Sequence, residues 1–376
     1  MEVVVKLVDD YLKNQSDLIV FIELKKEADI DKKFEYLKEF PVPILVNELI
    51  DPIKNRKEPN DISLASLARG MIYALGIDTN FKYKDGYIRF LEDFNNQIED
   101  YVCYVGLTLA EEKKLSEALV TFKALTTINE NNINGLYNYA KCCQDIALDG
   151  SDSKTAEAFE SESLEAFEIL IEKHPTFGPG YYYLGFHYVN MKLFKKAQLI
   201  WERGLEQEID DIKKKEIEHQ LDRIQDQVQY EEGYSFVLNN KPQKGLDKLI
   251  PLTEKYSDWW NLLFFIGLSY RQLQEYEKAI SYFQKILLIK PTQTDTLNEL
   301  GLCYTSLKRF EDAEKHFNKA LKFKGEDSEL LSNLGLVYME TGKYEEAKKM
   351  FEKSLDLNPD DEITQQCIAK LNHIMN

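Results

Sequence analysis

A repeat of 34 residues in the C-terminal part of the chain constrains the fold more than any other feature. Glycine recurs at this spacing, and tyrosine, alanine and phenylalanine recur at fixed offsets from it. The four series are Gly267, Gly301 and Gly335; Tyr270, Tyr304 and Tyr338; Ala279, Ala313 and Ala347; and Phe283, Phe317 and Phe351. A period of about 20 to 50 residues indicates stacked units that share one core, because a single unit cannot bury its own apolar face.

The pattern continues upstream when two insertions are allowed, and it then gives seven units. Their first residues are Glu99, Ile133, Gly178, Asp226, Trp260, Thr294 and Ser328. Position 8 is Gly106, Ala140, Gly185, Gly233, Gly267, Gly301 and Gly335; position 20 is Ala118, Ser163, Ala197, Gly245, Ala279, Ala313 and Ala347; position 24 is Phe122, Phe167, Trp201, Leu249, Phe283, Phe317 and Phe351. Small residues at 8 and 20 predict two helices in close contact, where a side chain larger than Ala would push them apart. The ring at 24 is expected to fill the space beside that contact.

These positions resemble the tetratricopeptide repeat family, whose helix–turn–helix units have a period of about 34 residues. The resemblance covers about residues 99–376 and implies an all-α fold, a right-handed solenoid of helical hairpins in which the first helix of each unit lines the concave side. We expect the seven units to occupy residues 99–361 and a capping helix to occupy residues 362–376. The face of that helix expected to cover the last unit is Ile363, Cys367, Ile368, Leu371 and Ile374.

Turn and cap residues agree with these units. Gly342, and Asn240 in the fourth unit, lie at the turn between the two helices and tolerate a positive φ. Glu232 interrupts an apolar position of the fourth unit, which favours a local irregularity there over a carboxylate that is buried with a partner. Residues expected to end second helices are Pro175, Pro291 and Pro359, and those expected to cap the following helices are Ser257, Thr292 and Asp327.

Residues 1–98 do not match the repeat clearly, and we expect a small helical N-terminal domain continuous with the solenoid. Ser16–Phe40 is predicted to be mainly amphipathic helix, with a strand at Leu18–Leu24 as the alternative because Ile, Val and Phe are concentrated there. Asp51–Asn60 is predicted to be a loop. A helix from Asp61 to about Leu75 and a partner at Tyr83–Asn96 are candidates for a degenerate eighth repeat at about residues 61–98.

Two insertions separate the upstream units. The first, Ala147–Thr155, is acidic but lacks the alternating ligands and distal Glu of a calcium loop, so a solvent loop is expected. The second, Asp211–Gln225, is predicted to extend the first helix of the fourth unit, from about Asp210 to Leu238. Its apolar stripe is Ile212, Ile217, Leu221, Ile224 and Val228. The stripe either packs on the preceding unit or forms an exposed arm for a partner or a homodimer through residues 211–225.

The composition narrows the classes of partner. The net charge is −18. This acidity argues against nucleic acid and against an anionic membrane, because both are bound through clustered Lys and Arg. Five cysteines without dense spacing indicate a reducing compartment. The first residues lack a basic start followed by an apolar run, so we expect a cytoplasmic protein.

Catalytic and metal-binding patterns are missing from the sequence. The five histidines do not form a paired metal spacing, and phosphate-binding glycine loops and nucleophile motifs are absent. Cys142 and Cys143 are adjacent, but Cys143 takes a core position, which favours packing over redox or metal chemistry. We therefore expect neither an enzyme nor a cofactor.

A candidate binding surface follows from the family resemblance, which places positions 2, 5, 9 and 12 of each first helix in the concave groove. In units two to five these positions carry Tyr, Phe and Asn side chains, which offer large contact areas and hydrogen bonds to an extended peptide. The predicted partner-binding residues are Asn134, Tyr137, Lys141, Tyr182, Phe186, Tyr230, Tyr234, Asn261, Phe264 and Arg271. The alternative is that the rings are covered within the fold, by the N-terminal domain or by the curvature of the solenoid.

The functional prediction is a non-enzymatic scaffold that binds a peptide or helix of another protein in this aromatic groove. The alternative is a peptide-sensing regulator whose N-terminal helical domain is the effector, an architecture that some bacterial regulators share. The Lys and Asn residues with which one subclass of the family holds a chaperone's C-terminal carboxylate are largely replaced by Tyr, Phe and Leu. Only Lys141 and Asn138 are reminiscent of that subclass, which argues against a chaperone-tail adaptor.

Overall fold

The computed structural model describes residues 2–27, 30–49, 63–149 and 152–375. Within these ranges the fold is helical apart from one two-stranded sheet, so the expected all-α architecture of helical hairpins is confirmed. The chain divides into an N-terminal unit, residues 1–219, and a C-terminal unit, residues 220–376. No helix in the described ranges combines the length and the apolar character needed to cross a bilayer.

The described part of the N-terminal unit contains two strands and a series of helices, and residues 46–49 next to β2 are also helical. The labelled strands and helices are α1 (Glu2–Lys13), β1 (Ile19–Ile22), β2 (Val42–Leu45), α2 (Leu64–Ile77), α3 (Lys84–Phe94), α4 (Ile98–Glu111), α5 (Leu115–Ile128), α6 (Ile133–Leu148), α7 (Ser153–Lys173), α8 (Gly178–Asn190), α9 (Phe194–Leu205) and the first part of α10 (Asp211–Leu238). Short 3-10 segments occupy Asn14–Leu18 and Lys32–Glu39.

The C-terminal unit contains the rest of α10 and eight further helices in its described part. They are α11 (Pro242–Leu249), α12 (Trp260–Gln272), α13 (Tyr276–Ile289), α14 (Thr294–Ser306), α15 (Phe310–Lys324), α16 (Ser328–Glu340), α17 (Tyr344–Leu357) and α18 (Glu362–Met375). A 3-10 segment at Ile250–Glu254 follows α11. The division into seven repeats and a cap with the predicted boundaries stays a prediction.

The six hairpins that carry glycine at position 8 close on a contact between this glycine and the side chain at position 24. A Cβ atom added to Gly301 would lie 2.5 Å from ring carbons of Phe317, and one added to Gly335 would lie 2.6 Å from the ring of Phe351. Real Cβ atoms do not approach other atoms so closely, so glycine is required here and alanine is already too large. The second unit differs, because Ala140 occupies position 8. The contact is therefore tighter than the sequence predicts.

The turns between paired helices use positive φ more often than the sequence suggests. Gly342 has φ +76° and Asn240 has φ +53°, as expected from their residue types. The same conformation occurs at Lys113, Lys192, Gln274 and Lys308, with φ from 57° to 62°. The amide of the residue after the turn residue bonds back into the first helix, as from Arg309 to the Tyr304 carbonyl at 2.8 Å. This hydrogen bond compensates for the unfavourable φ of an ordinary side chain.

The predicted helix caps are partly wrong. Asp327 accepts a hydrogen bond from the Leu330 amide at 3.1 Å and caps α16 as expected. At α14 the cap is Gln293 instead of Thr292, because the longer side chain reaches the Thr296 amide. At α12 the residue in the cap position is Trp259, which gives no side-chain cap, so Ser257 does not serve. Pro175, Pro291 and Pro359 each follow a helix end by two residues.

The helix predicted over Ser16–Phe40 is wrong, and the alternative of a strand within Leu18–Leu24 is correct. β1 pairs antiparallel with β2, with Ile19 opposite Leu45 and Ile22 opposite Val42. The sheet packs on α2 so closely that a Cβ at Gly70 would lie 2.1 Å from the Pro43 carbonyl oxygen. This contact is distant in sequence, and an amphipathic pattern cannot reveal it. The predicted loop at residues 51–60 lies outside the described residues, and α2 begins at Leu64.

Burial along α10 and α18 only partly follows the predicted stripes. In α10, Ile217, Ile224 and Val228 are buried, whereas Ile212 is 79% exposed. The buried residues of the stripe pack within the fold, so they do not form an exposed arm. A homodimer through residues 211–225 stays a prediction. In α18, Leu371 is buried and Cys367 and Ile368 pack against the same core, but Ile363 and Ile374 are exposed. Thr364 is buried in their place because its hydroxyl pairs with that of Ser332 at 2.6 Å.

Glu232, the irregular position of the fourth unit, has a partner. Its carboxylate pairs with the Lys248 ammonium of α11 at 2.6 Å, and its side chain is 23% exposed. The helix α10 runs through it without interruption. The partnered carboxylate, and not a break in the pattern, accounts for an acidic residue at this place.

Candidate functional site

The aromatic partner-binding residues predicted in the N-terminal unit belong to a group of rings, here called the first ring cluster. Tyr183 stacks on Phe167 with ring centroids 5.3 Å apart, and Tyr182 contacts Tyr183 and Phe186 at 4.9 and 5.1 Å. The cluster comprises Tyr137 of α6, Phe167 of α7, Phe177, and Tyr182, Tyr183 and Phe186 of α8. Edge-to-face and offset contacts of this kind hold aromatic side chains in fixed positions.

The tyrosine hydroxyls of the first ring cluster form hydrogen bonds with other groups of the N-terminal unit. The Tyr182 hydroxyl donates to Glu216 Oε2 at 2.6 Å. Burial raises the pKa of Tyr137 and of Tyr182, and a hydrogen bond with Tyr183 contributes for Tyr137. Lys141 Nζ lies 5.8 and 5.7 Å from the centroids of the Tyr137 and Tyr183 rings. Asn134, the remaining predicted residue of this unit, is exposed.

The predicted aromatic residues of the C-terminal unit belong to a second group of rings, here called the second ring cluster. It comprises Tyr230 and Tyr234 of α10, Trp259, and Phe264 and Phe265 of α12. Tyr230 lies 4.3 Å from Trp259, and Tyr234 stacks on Phe265 at 5.3 Å, centroid to centroid. All five side chains are half-buried. They are neither sealed in the core nor fully solvated.

The hydroxyl groups of the second ring cluster differ from those of the first. In the described part of the chain, the hydroxyls of Tyr230 and Tyr234 have no hydrogen-bond partner, and neither is enclosed. Burial raises the pKa of both tyrosines, so both hydroxyls stay neutral donors at physiological pH. The amide of Asn261 is similarly without a partner among the described residues. These three groups remain available to an external ligand.

Arg271 is committed to an internal ion pair. Its guanidinium meets the Glu299 carboxylate, whose side chain is 12% exposed. Burial raises the pKa of Glu299, and the attraction of Arg271 opposes this effect. Removing Arg271 would leave a buried carboxylate without its counter-ion. The Arg271 charge is therefore neutralised within the fold. Of the predicted residues, Arg271 is the one least suited to contact a partner.

The sequence prediction missed several rings that complete both clusters. Tyr183 and Phe265 lie one position after the residues assigned to the groove, and Phe177 and Trp259 precede the first helices of their units. The adjacent aromatics in Tyr181–Tyr183 and in Phe264–Phe265 are the signal that would have found two of them. A ring one residue further round the helix still reaches its neighbours because aromatic side chains are long.

Potential metal ligands are not clustered in the described part of the chain, and the two adjacent cysteines are not exposed. No three His, Cys, Asp or Glu side chains in the described ranges gather in a metal-binding arrangement. Cys142 and Cys143 are buried, and burial raises the pKa of Cys142 to about 12. A thiol with such a pKa is a poor nucleophile at neutral pH. Part of the insertion considered for calcium, residues 150 and 151, lies outside the described residues.

Two family models match the C-terminal unit in sequence. Residues 261–326 match the model described as tetratricopeptide repeat, and residues 296–361 match YpiA-like, C-terminal tetratricopeptide repeats. Residues 261–361 are therefore tetratricopeptide repeats. No curated protein matches this tetratricopeptide repeat chain.

Solved structures with a similar course of the chain include three tetratricopeptide repeat proteins. The first such domain of human RPAP3 is 25% identical, with 31% of this chain and 91% of that chain covered, at a TM-score of 0.30. YrrB, described as having an unusual peptide-binding site, is 15% identical, with 65% of this chain and 96% of that chain covered, at a TM-score of 0.28. A tetratricopeptide repeat protein from Parabacteroides merdae is 12% identical, with 92% of this chain and 100% of that chain covered, at a TM-score of 0.33. TM-scores this low carry no information about function.

Proposed function

We propose that this tetratricopeptide repeat protein is a non-enzymatic scaffold that binds a peptide segment or helix of another protein. Membership of a protein-binding repeat family supports the class of partner. Stacked helical repeats present extended surfaces, which suit a segment of chain better than a small metabolite.

The contact surface that we propose is the second ring cluster together with Asn261. The observation that carries this choice is that Tyr230, Tyr234 and Asn261 keep unpaired polar groups at half-buried positions beside fixed rings. Tyrosine in such a setting provides contact area at low entropic cost and a hydroxyl that orients the ligand. The first ring cluster offers similar rings, but its hydroxyls already have partners, so we assign it mainly to stability.

A peptide-display experiment tests this assignment. Random 12-residue peptides would be selected on the intact chain, and the affinity of the enriched peptides would then be measured for single variants. Tyr234→Ala is expected to weaken binding by about tenfold or more, because truncation of a central aromatic contact costs more than about 1.4 kcal/mol. The matched control is Tyr344→Ala, an exposed tyrosine of α17 outside the cluster.

The variant Tyr182→Ala separates the two clusters. We expect it to lower the thermal midpoint while peptide affinity at a temperature where the chain stays folded is kept. Equal affinity of the intact chain, Tyr234→Ala and Tyr344→Ala for every selected peptide would refute the second ring cluster as the contact surface. The regulator alternative stays a prediction, and a change in solution scattering on addition of a selected peptide would favour it.

A further inference from the structure

The N-terminal unit encloses a cavity that is separate from both ring clusters. Its volume is about 530 Å³, and residues next to or within β2, α2, α4 and α5 line it. The aliphatic side chains of the lining are Leu18, Leu45, Val46, Ile72, Val105 and Leu109. Leu18 is 43% exposed, so the cavity borders solvent on that side. A volume in the range of about 300–1,000 Å³ is typical of sites for small molecules.

Two of the charged groups in the lining cancel each other. Arg69 of α2 donates two hydrogen bonds to the Glu48 carboxylate, one of them from Nη2 to Oε2 at 3.0 Å. This bidentate geometry fixes both side chains and neutralises their charges. Glu117 of α5 also lines the cavity. Its carboxylate makes no ion pair or hydrogen bond with the described residues. Besides the Arg69–Glu48 pair, the lining therefore carries one negative charge without an ion-pair partner, and the exposed ammonium of Lys114, which is paired with Glu112, attracts it from outside the lining.

A buried hydroxyl in the same lining also lacks a partner. Tyr73 of α2 is 7% exposed, and its hydroxyl oxygen is enclosed without a hydrogen bond to any described residue. Buried polar groups are nearly always paired, so an unpaired one at a cavity wall indicates a missing partner. Burial, and then the nearby Glu117 carboxylate, raise the pKa of Tyr73. The hydroxyl therefore stays neutral, and both its oxygen and the nearby carboxylate can accept a hydrogen bond from a ligand.

We propose that this cavity is a binding site for a small primary amine with an apolar body. The ammonium group donates to the Glu117 carboxylate and the Tyr73 hydroxyl, and the apolar body lies among Leu45, Ile72 and Val105. An ammonium has three donors and a positive charge, so it satisfies both groups at once. A carboxylic acid would be repelled by Glu117, and an alcohol would leave that charge without a counter-ion. The proposal is independent of peptide binding at the second ring cluster.

Titration calorimetry on the intact chain tests the proposal with three ligands of matched shape. The ligands are 2-phenylethylamine, 2-phenylethanol and 3-phenylpropionate. We expect the amine to bind at least about tenfold more tightly than the alcohol, since hydrogen bonds to charged groups are the stronger class. Binding of the acid is expected to be weakest. Equal affinities of amine and alcohol, or no binding by any of the three, would overturn the proposal.

Three variants locate the site. Glu117→Gln is expected to lower the affinity for the amine by about tenfold and to leave the alcohol unaffected, since only the charge is removed. Glu111→Gln, on an exposed residue of α4, is the control for general attraction of cations to an acidic surface. Leu109→Trp fills the cavity and is expected to abolish amine binding, with folding checked by circular dichroism. Amine affinity unchanged in Glu117→Gln, or retained in a folded Leu109→Trp chain, contradicts the site.

Discussion

At the residue scale, a glycine and a ring set the distance between the helices of a hairpin. In the fifth, sixth and seventh units the ring at position 24 lies against the glycine at position 8, with no room for a methyl group. The constraint acts through the side chain of one partner and not through two backbones. A substitution at either position therefore changes the cost of a substitution at the other.

The variant Gly301→Ala tests this coupling. It is expected to lower the free energy of unfolding by about 1–3 kcal/mol, because the new Cβ overlaps the Phe317 ring and forces one helix outward. In a Phe317→Ala background the same change should cost less than about 0.5 kcal/mol, since the overlapping ring is gone. Urea denaturation of the four chains of this cycle gives both values.

The control for helix propensity is Ser306→Ala, at an exposed residue of the same helix. Its effect is expected to stay within about 0.5 kcal/mol. Equal costs of Gly301→Ala with and without the Phe317 ring would show that the backbone, and not the ring, makes the contact tight.

A second prediction at this scale concerns His187, which is 3% exposed. Its Nε2 lies 3.1 Å from Ser163 Oγ, and that hydroxyl donates to the Ala140 carbonyl, so the imidazole is the donor in the pair. Burial lowers the pKa of His187. The unfolded chain therefore takes up a proton below about pH 6.5 while the folded chain resists it. Stability is present above this pH and is lost as the pH falls toward the folded pKa.

The measurement is the free energy of unfolding from pH 8 to pH 5 for the intact chain and His187→Gln. One proton contributes a slope of at most about 1.4 kcal/mol per pH unit, and the glutamine variant should lack this part of the slope. Parallel curves for the two chains would mean that His187 does not titrate differently on folding.

At the element scale, α18 closes the C-terminal unit. Leu371 is buried against Met339, Ala347 and Phe351, and the same helix leaves Ile374 45% exposed. A helix packed in this way would cover the apolar end of a stack of repeats, and this capping role stays a prediction.

Leu371→Ala is expected to destabilise the end of the stack by about 2–5 kcal/mol, because it leaves a cavity under the cap. Repeats unfold locally, so amide hydrogen exchange in α16, α17 and α18 should accelerate while exchange in α4 to α6 is unchanged. Ile374→Ala is the matched control on the exposed face. Unaltered exchange in α16 and α17 of the Leu371→Ala chain would argue against a capping role.

The helices of the repeats were predictable from sequence and the sheet was not, for a physical reason. A 34-residue period repeats the same local contact several times, so position 8 and position 24 identify each other within one unit. β1 has four residues, and its partner β2 lies about twenty positions away, so neither the pairing nor the contact at Gly70 leaves a periodic trace. Likewise, buried Thr364 was missed because its burial depends on a hydrogen bond to Ser332.

At the scale of the whole molecule, the excess of acidic residues is the main electrostatic feature. The net charge is −18, and the ion pairs in the described residues are mostly solvated, so they offset little of the repulsion. Raising the NaCl concentration from about 20 to about 200 mM at pH 7 should therefore raise the thermal midpoint by a few degrees, because salt screens the repulsion among acidic groups.

The comparison condition is the isoelectric point, near pH 4.9, where the net repulsion vanishes. There the gain from salt should disappear, and scanning calorimetry at both pH values measures it. A thermal midpoint that falls with salt at pH 7 would show that the ion pairs outweigh the net charge.

The candidate site was predictable in composition but not in detail. The family resemblance and the repeat positions assigned Tyr182, Tyr230 and Tyr234 to a groove lined by aromatic residues. They did not show that the hydroxyl of Tyr182 is taken by Glu216, or that Arg271 is paired with Glu299. Those partners lie about thirty residues away, and the choice among many acidic residues is made by packing. The contact surface that we propose therefore retains a smaller group of the ten candidates, around Tyr234.

The contact between Gly301 and Phe317 has both of its halves within residues 294–327. An in-frame duplication of that stretch would carry a complete contact with it, so the new copy would need no matching change elsewhere. Insertion of a shorter piece between the two residues would separate them, and the Phe317 ring would then lose its contact with Gly301. Growth of such a gene is thus favoured in whole steps of 34 codons.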